Sequence, residues 1–258
     1  MSTTSNQQQW KSPLGELRLS DLEVHVWQAS LNVSKSLVQR LQQFLSEEEI
    51  VRASSFVFER DRHHFIVARG ILRAILSRYL RVDPHYIRFD TNAYGKPSLD
   101  LPRCEPRLNF NLAHSHELAL YVFTYAREVG IDVEYMRADF DFEELAKHSF
   151  SLYEQSILRA LPEEAKQQAF FRCWTRKEAY IKAKGKGLSI PLDLFDVSLA
   201  PGESPALINS REDPQETTRW SFKNLDPDPG YASALVVEDG EWYLNCWLWQ
   251  EEFFFPGM

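Results

Sequence analysis

The stretch Gly130-Ile131-Asp132-Val133-Glu134 places two carboxylates two positions apart in an apolar run. On a strand alternate side chains share a face, so Asp132 and Glu134 stand together and Ile131 and Val133 stand opposite. Such a pair is either a solvated strand face or a hard-oxygen site suited to Mg²⁺. In Trp174-Thr175-Arg176-Lys177-Glu178-Ala179-Tyr180-Ile181-Lys182, Glu178 and Lys182 are four apart and share a helix face, with Trp174 one turn earlier. They form a surface ion pair or an acid and a cation facing a substrate. Asn109-Phe110-Asn111-Leu112-Ala113-His114-Ser115 ends a strand in a polar bend, His114-Ser115-His116, whose backbone N–H groups can hold phosphate oxygens. Tyr94-Gly95-Lys96-Pro97 presents a lysine on a tight turn, solvated or meeting a phosphate as a point charge. From Arg60 to Arg81 six arginines (60, 62, 69, 73, 78, 81) accompany a single acid, Asp61, with Arg52 upstream. That field suits a polyphosphate or an acidic protein, or the side chains snorkel over apolar surface.

These residues need elements to hold them. Alternation predicts a strand over 21–31, and helical spacing predicts helices over 34–44 and 60–80, the latter through Phe65, Ala68, Ile71, Leu72, Ile75, Leu76 and Tyr79. Ser46 with Glu49 reads as a capping box opening another helix near Glu47. Strands are expected over 87–90, 108–112, 118–125 and 129–136, and helices over 142–150, 152–161 and 163–184. Gly185, Gly187 and Pro191 supply the stop for the last helix. Strands over 194–199, 220–224, 232–238 and 242–249 follow, while residues 1–20 read as a flexible lead-in. Helices followed by short strands occur twice, which argues for α+β and for a structural duplication without a residue-level repeat. The halves are expected at 1–127 and 128–258.

Composition narrows the class. With 258 residues, 44% hydrophobic content and 7 Trp, 10 Tyr and 17 Phe, the chain builds its own core without staples. A net charge of −8 disfavours a general nucleic-acid binder. Cys104, Cys173 and Cys246 are few, odd in number and without a CxxC pair, so a zinc site is not expected and a reducing cytoplasm fits. No apolar run approaches the ~20 residues of a bilayer span, and no signal peptide follows the polar Ser2–Gln9, so neither membrane nor export is expected.

Taken in order, Tyr94–Pro97, Asn109–Ser115, Gly130–Glu134, Phe171 and Trp174 with Lys177-Glu178-Ala179, Lys182, and Gly185-Lys186-Gly187-Leu188 resemble the broad-specificity, surfactin-type (Sfp-like) 4′-phosphopantetheinyl transferases. Phe56 and the Arg69–Arg73 helix also fit, and the resemblance covers about residues 46–199. It implies a pseudo-dimer of two similar halves with the active site in the cleft between them. It implies Mg²⁺-dependent transfer of the phosphopantetheine arm from coenzyme A to a serine of an acyl-, peptidyl- or aryl-carrier protein, with release of adenosine 3′,5′-bisphosphate. Asp132, Glu134 and Glu178 match the metal carboxylates, with Mn²⁺ as an alternative ion. Glu178, or a water beside it, matches the base for the carrier serine. Lys182 matches the lysine at the pyrophosphate, and Lys177 has a less defined place beside it. Arg52, Lys96 and His114 match contacts to coenzyme A phosphates, and backbone groups of Tyr94, Gly95 and Lys96 and of Asn111, Ala113 and His114 match the adenine and 3′-phosphate surroundings. Ala113 stands where many relatives carry serine, which implies a weaker 3′-phosphate contact, and His64 stands where arginine is common. A monomer is expected. Carrier docking is expected near Phe140–Phe150, because an acidic enzyme meeting an acidic carrier needs apolar contacts and a local basic patch. Two other readings use the same residues: a Mg²⁺-dependent hydrolase of coenzyme A or nucleotide pyrophosphate, and a non-catalytic nucleotide-binding module.

Overall fold

The computed structural model describes residues 9–100, 107–137, 139–238 and 240–255. The first half runs β1 (Glu23–Ser30), α1 (Lys35–Gln42), α2 (Glu47–Ser54), α3 (Glu59–Leu80), a hairpin of β2 (Phe89–Thr91) and β3 (Pro97–Leu99), then β4 (Leu108–Ser115) and β5 (Leu118–Tyr125). The second half repeats that order. It runs β6 (Val129–Tyr135), α4 (Phe142–Ser149), α5 (Leu152–Ala160), α6 (Glu163–Lys184), a hairpin of β7 (Phe195–Val197) and β8 (Leu207–Ser210), then β9 (Trp220–Asn224) and β10 (Tyr231–Glu238), with the short α7 (Glu216–Arg219) inserted before β9. In the first half β5 is flanked by β1 and β4, and in the second β10 is flanked by β6 and β9, all antiparallel. The expected α+β pseudo-dimer is therefore a duplication element by element.

Sequence reading passed over β3 and β8, each too short to show a period. The chain also crosses back at its end: β11 (Tyr243–Leu248) lies parallel to β1 on the free edge of the first sheet, giving the order β11-β1-β5-β4. A boundary at 127/128 thus divides the chain but not the sheets. The lead-in is anchored at Trp10 and Lys11, because Lys11 bridges to β11 (Lys11 N–H to the Cys246 carbonyl, 3.0 Å) and the Trp10 indole N–H donates to the Asp226 carbonyl at 2.8 Å. Residues 1–8 and Cys104 lie outside the described residues, while Cys173 and Cys246 are buried. Among the described residues no helix is long and apolar enough to cross a membrane.

The two long helices carry the same device. Ser46 and Glu49 form the capping box of α2, and Ser151 and Glu154 form that of α5. The capping glutamate of each also receives a buried cation from the following long helix. Arg73 Nε donates to Glu49 Oε2 at 2.7 Å, and Lys177 Nζ sits 2.8 Å from Glu154 Oε2. Both cations stand fourteen residues after the first residue of their helix, Glu59 and Glu163. Each also donates to two carbonyls of the chain beyond: Arg73 to Pro84 and Ile87, Lys177 to Leu192 and Phe195. Arg69 also binds Glu49, Arg78 binds the Phe253 carbonyl, and Arg81 pairs with Glu16. Arg69 and Arg73 are therefore internal bracing, while Arg60, Arg62, Arg78 and Arg81 remain exposed.

Three apolar layers follow from the alternation. Ile71, Leu72, Ile75 and Leu76 of α3 pack with Tyr121 and Phe123 of β5. Phe170, Ala179, Tyr180 and Ala183 of α6 pack with Phe222, Ala234 and Val236. Between the sheets, Val24, Val26, Leu120 and Val122 meet Ile131, Val133, Leu235 and Val237. The rings of Phe140, Phe142 and Phe150 pack on Phe170, so the stretch expected to dock carriers spends its aromatics on the core. The Phe253-Phe254-Phe255 tail packs on the body as well. Phe254 meets Trp27 edge-on at 5.6 Å, and Phe255 stacks on Phe44 at 5.6 Å.

Beneath that tail lies a buried histidine. The Trp27 indole N–H donates to the Tyr79 hydroxyl, 2.9 Å, which leaves the hydroxyl proton for His25 Nδ1 at 2.8 Å. Burial drives the His25 pKa down to about 4, against the weaker pull of Glu23. The unfolded chain takes up a proton near the ordinary pKa of about 6.5 and the folded chain does not, so the stability present above that pH drains as pH falls toward 4. Between pH 7.5 and 5.0 the wild type should lose about 2 kcal/mol more than His25→Gln in urea unfolding. Equal losses would show that His25 does not set the acid limb.

Candidate active site

Gly130 decides how α6 meets β6. A Cβ there would lie 2.0 Å from the Ala179 carbonyl oxygen and 2.4 Å from the Ala183 nitrogen. Only glycine lets the helix backbone come this close. The approach brings Glu178 and Lys182 of α6 over the face of β6 that carries Asp132 and Glu134. Lys182 Nζ is 2.7 Å from Asp132 Oδ1, while Asp132 Oδ2 is buried with no hydrogen-bond partner. Gly130→Ala should displace α6 by enough to cost about 1–3 kcal/mol and roughly 100-fold in kcat. Melting curves and rates taken well below Tm would measure both, and unchanged kcat would show that α6 placement does not govern the site.

The electrostatics confirm that these groups share one field. Burial pushes the Asp132 pKa up to about 7, with Glu134 and Glu178 adding to the rise and Lys182 opposing it. Burial likewise raises Glu178, with Lys182 opposing and Glu134 adding. His114 is lowered by burial, then by His64 and Lys182. His64 is lowered by burial and by Arg60. A cleft of about 420 Å³ opens here, lined from the first half by Phe56, Arg60, His64 and His114 and from the second by Glu134 and Tyr135.

Other expected residues fall differently. His114 and Ser115 are not in a bend: β4 continues through Ser115, with His114 opposite Ala119, and the turn comes at His116, at φ +52°. The backbone pairing of β4 with β5 carries the strand three residues further than the polar sequence suggests. Asn111 is buried, and its Oδ1 accepts the Ile131 N–H at 3.0 Å, joining β4 to β6. Ala113 is buried in the layer between the sheets. Lys96 is not a free cation: Nζ bonds Glu128 at 2.9 Å, the Ala183 carbonyl at 3.0 Å and the Val129 carbonyl at 3.3 Å. It thus ties the first half to the end of α6, where the negative end of the helix dipole favours a cation. The turn's N–H groups are occupied too. Asn92 Oδ1 accepts from Tyr94 and Lys96, and the Asn92 carbonyl accepts from Gly95. The Asn92 amide reaches the Gly185 carbonyl, so the Tyr94–Pro97 turn and the glycine-rich exit of α6 sit against each other. Tyr94 stays exposed there. Arg52 stands over the Phe65 ring, 5.7 Å from its centroid, and Phe65 lines the cleft. Lys177 faces away from Glu178 into its buried clamp with Glu154. Sequence reasoning assigned no role to Gly130 or Asn92, and gave Ser115 only a backbone place in the polar bend. A glycine inside an apolar strand was the available signal for the first.

Comparison with known proteins accords with this arrangement. The family model described as 4′-phosphopantetheinyl transferase superfamily matches residues 128–236, and that described as 4′-phosphopantetheinyl transferase, N-terminal, matches residues 26–124. The 4′-phosphopantetheinyl transferase HetI of Nostoc sp. is 41% identical over 93% of this chain and 98% of its own. The chain belongs to the 4′-phosphopantetheinyl transferase superfamily. The 4′-phosphopantetheinyl transferase Sfp of Bacillus subtilis is 33% identical over 77% of this chain and 84% of its own. The human L-aminoadipate-semialdehyde dehydrogenase-phosphopantetheinyl transferase is 30% identical over 76% and 68%. As a phosphopantetheinyl transferase, the protein is an enzyme that moves a 4′-phosphopantetheine group from coenzyme A to carrier proteins. Its two family segments coincide with the two structural repeats, and the cleft lies where they meet.

Proposed function

We propose that Asp132, Glu134 and Glu178 hold a divalent cation, Mg²⁺ with Mn²⁺ as a substitute, and that the transfer occurs beside it. The observation carrying this reading is the buried, unpartnered Asp132 Oδ2, in one field with Glu134 and Glu178. Among the described residues no three His, Cys, Asp or Glu side chains stand where they could hold a metal ion as they are, so Asp132, Glu134 and Glu178 must draw together on binding it. Lys182 holds one Asp132 oxygen and Ser115 holds one Glu134 oxygen. An incomplete carboxylate set suits Mg²⁺, which keeps several waters and takes few protein ligands. The ion supplies charge neutralisation at pyrophosphate oxygens.

The chain's own groups do the rest. Glu178, raised by burial, accepts the proton of a carrier serine hydroxyl. The serine oxygen forms a bond to the β-phosphorus, the bond from that phosphorus to the bridging oxygen breaks, and adenosine 3′,5′-bisphosphate leaves with the electron pair. Lys182 sits where charge accumulates on the leaving phosphate. His114, with His64 beside it, receives the 3′-phosphate, and Arg52 holds the rim. The backbone of Asn111–His114 and the Tyr94–Lys96 turn border the nucleotide. Lys96 acts there mainly through the turn it anchors.

Intact mass spectrometry of an apo-carrier protein, incubated with the enzyme, coenzyme A and Mg²⁺, tests this. One added phosphopantetheine arm, absent with a carrier lacking its serine, is the expected result. Coenzyme A cleavage without carrier modification would replace this reading with a hydrolase. Gel filtration is expected to show a monomer.

A further inference from the structure

β6 is an edge strand of its sheet, so its outward N–H groups need partners from elsewhere. At Tyr135 the partner is a side chain of the other half. Ser115 Oγ, at the end of β4, accepts the Tyr135 N–H at 3.1 Å. Its single hydroxyl proton is then free to donate, and it goes to Glu134 Oε2 at 2.7 Å. Among the described residues this is the only hydrogen bond or ion pair that the Glu134 carboxylate makes. The same corner is pinned once more, by the His116 ring stacked on Tyr135 at 4.8 Å.

We infer that Ser115 is a positioning residue that fixes the Glu134 carboxylate for the metal. One hydroxyl reads the backbone position of β6 and orients the side chain next to it. Glu134 is half-buried and lines the cleft, so without Ser115 its carboxylate would sample several rotamers. The geometry also couples the site to the docking of the halves: Glu134 is aimed only when β4 lies in register beside β6. Ser115 touches neither substrate nor reacting atoms in this role, and the inference rests on the proposed metal site.

Metal binding can be read without turnover. Mn²⁺ titration followed by electron paramagnetic resonance would compare the wild type, Ser115→Ala, Ser115→Thr and Glu134→Gln. Removing an outer-shell partner of a ligating carboxylate typically weakens metal binding by about 10-fold or more. Ser115→Ala should therefore raise the Mn²⁺ Kd about 10-fold, and Ser115→Thr, which keeps the hydroxyl, should restore it. The Mg²⁺ concentration for half-maximal activity should shift in parallel, with kcat at saturating Mg²⁺ near wild type. Wild-type Mn²⁺ affinity in Ser115→Ala alongside weakened affinity in Glu134→Gln would overturn the inference while leaving the metal site standing. Wild-type affinity in both would overturn the metal reading itself. A Kd loss that threonine fails to rescue, accompanied by a lowered Tm without metal, would reduce Ser115 to a structural contact.

Discussion

Glu178→Gln should lower carrier modification by about 10²–10⁴-fold, the range for losing a positioned general base, while leaving the fold intact. The amide keeps the shape of the side chain and its packing on β6. What it removes is a carboxylate whose charge is already disfavoured by burial and by Glu134. Deleting one charge from a self-repelling group relieves strain, so the metal-free Tm should stay level or rise. The two readouts therefore move apart, which separates a lost function from a lost structure. Retention of more than about a tenth of the activity would remove Glu178 from the base role.

Lys177→Met makes the opposite prediction although it lies one residue away. Lys177 Nζ is fully buried against Glu154, and that carboxylate also accepts the Ser151 and Val197 N–H groups. Removing the cation leaves a buried carboxylate without its counter-charge, which costs about 3–5 kcal/mol. For a chain of this size that is a Tm fall on the order of 10 °C. Glu154→Gln added to Lys177→Met should recover part of the loss, because no unpaired charge then remains. Calorimetry on the single and double variants measures this directly. A fall of under about 2 °C would show that the clamp is not needed to hold α5 and β7 on α6.

The carboxylates, the lysine and their order along the chain were legible in the sequence because strand and helix periods are local properties. Alternation alone put Asp132 and Glu134 on one face, and the i, i+4 spacing put Lys182 beside Glu178. The doubled element order was legible for the same reason. What could not be read was where unlike elements meet. Lys96 sits on the turn that its glycine and proline announce, yet its ammonium caps a helix 87 positions later in the chain. Lys177 and Glu178 are neighbours in sequence and point different ways, one into a buried clamp with Glu154 and one toward Asp132 and Glu134, because each residue turns a helix by about 100°. Arg69 and Arg73 look like part of a phosphate-binding stripe until Glu49 is found against them.

By itself the sequence determined the residue types of the site, the faces they share within each element and the repeat of helices and strands. Tertiary structure decided which cations are free, which carboxylate oxygen lacks a partner, and that the last strand joins the first sheet. It also made Gly130 the hinge of the site, since the cost of a Cβ there depends on a helix some fifty residues away. The division has one physical cause. Periodicity is written in neighbouring residues, whereas charge pairing and close approach depend on distances in space that chain order does not encode.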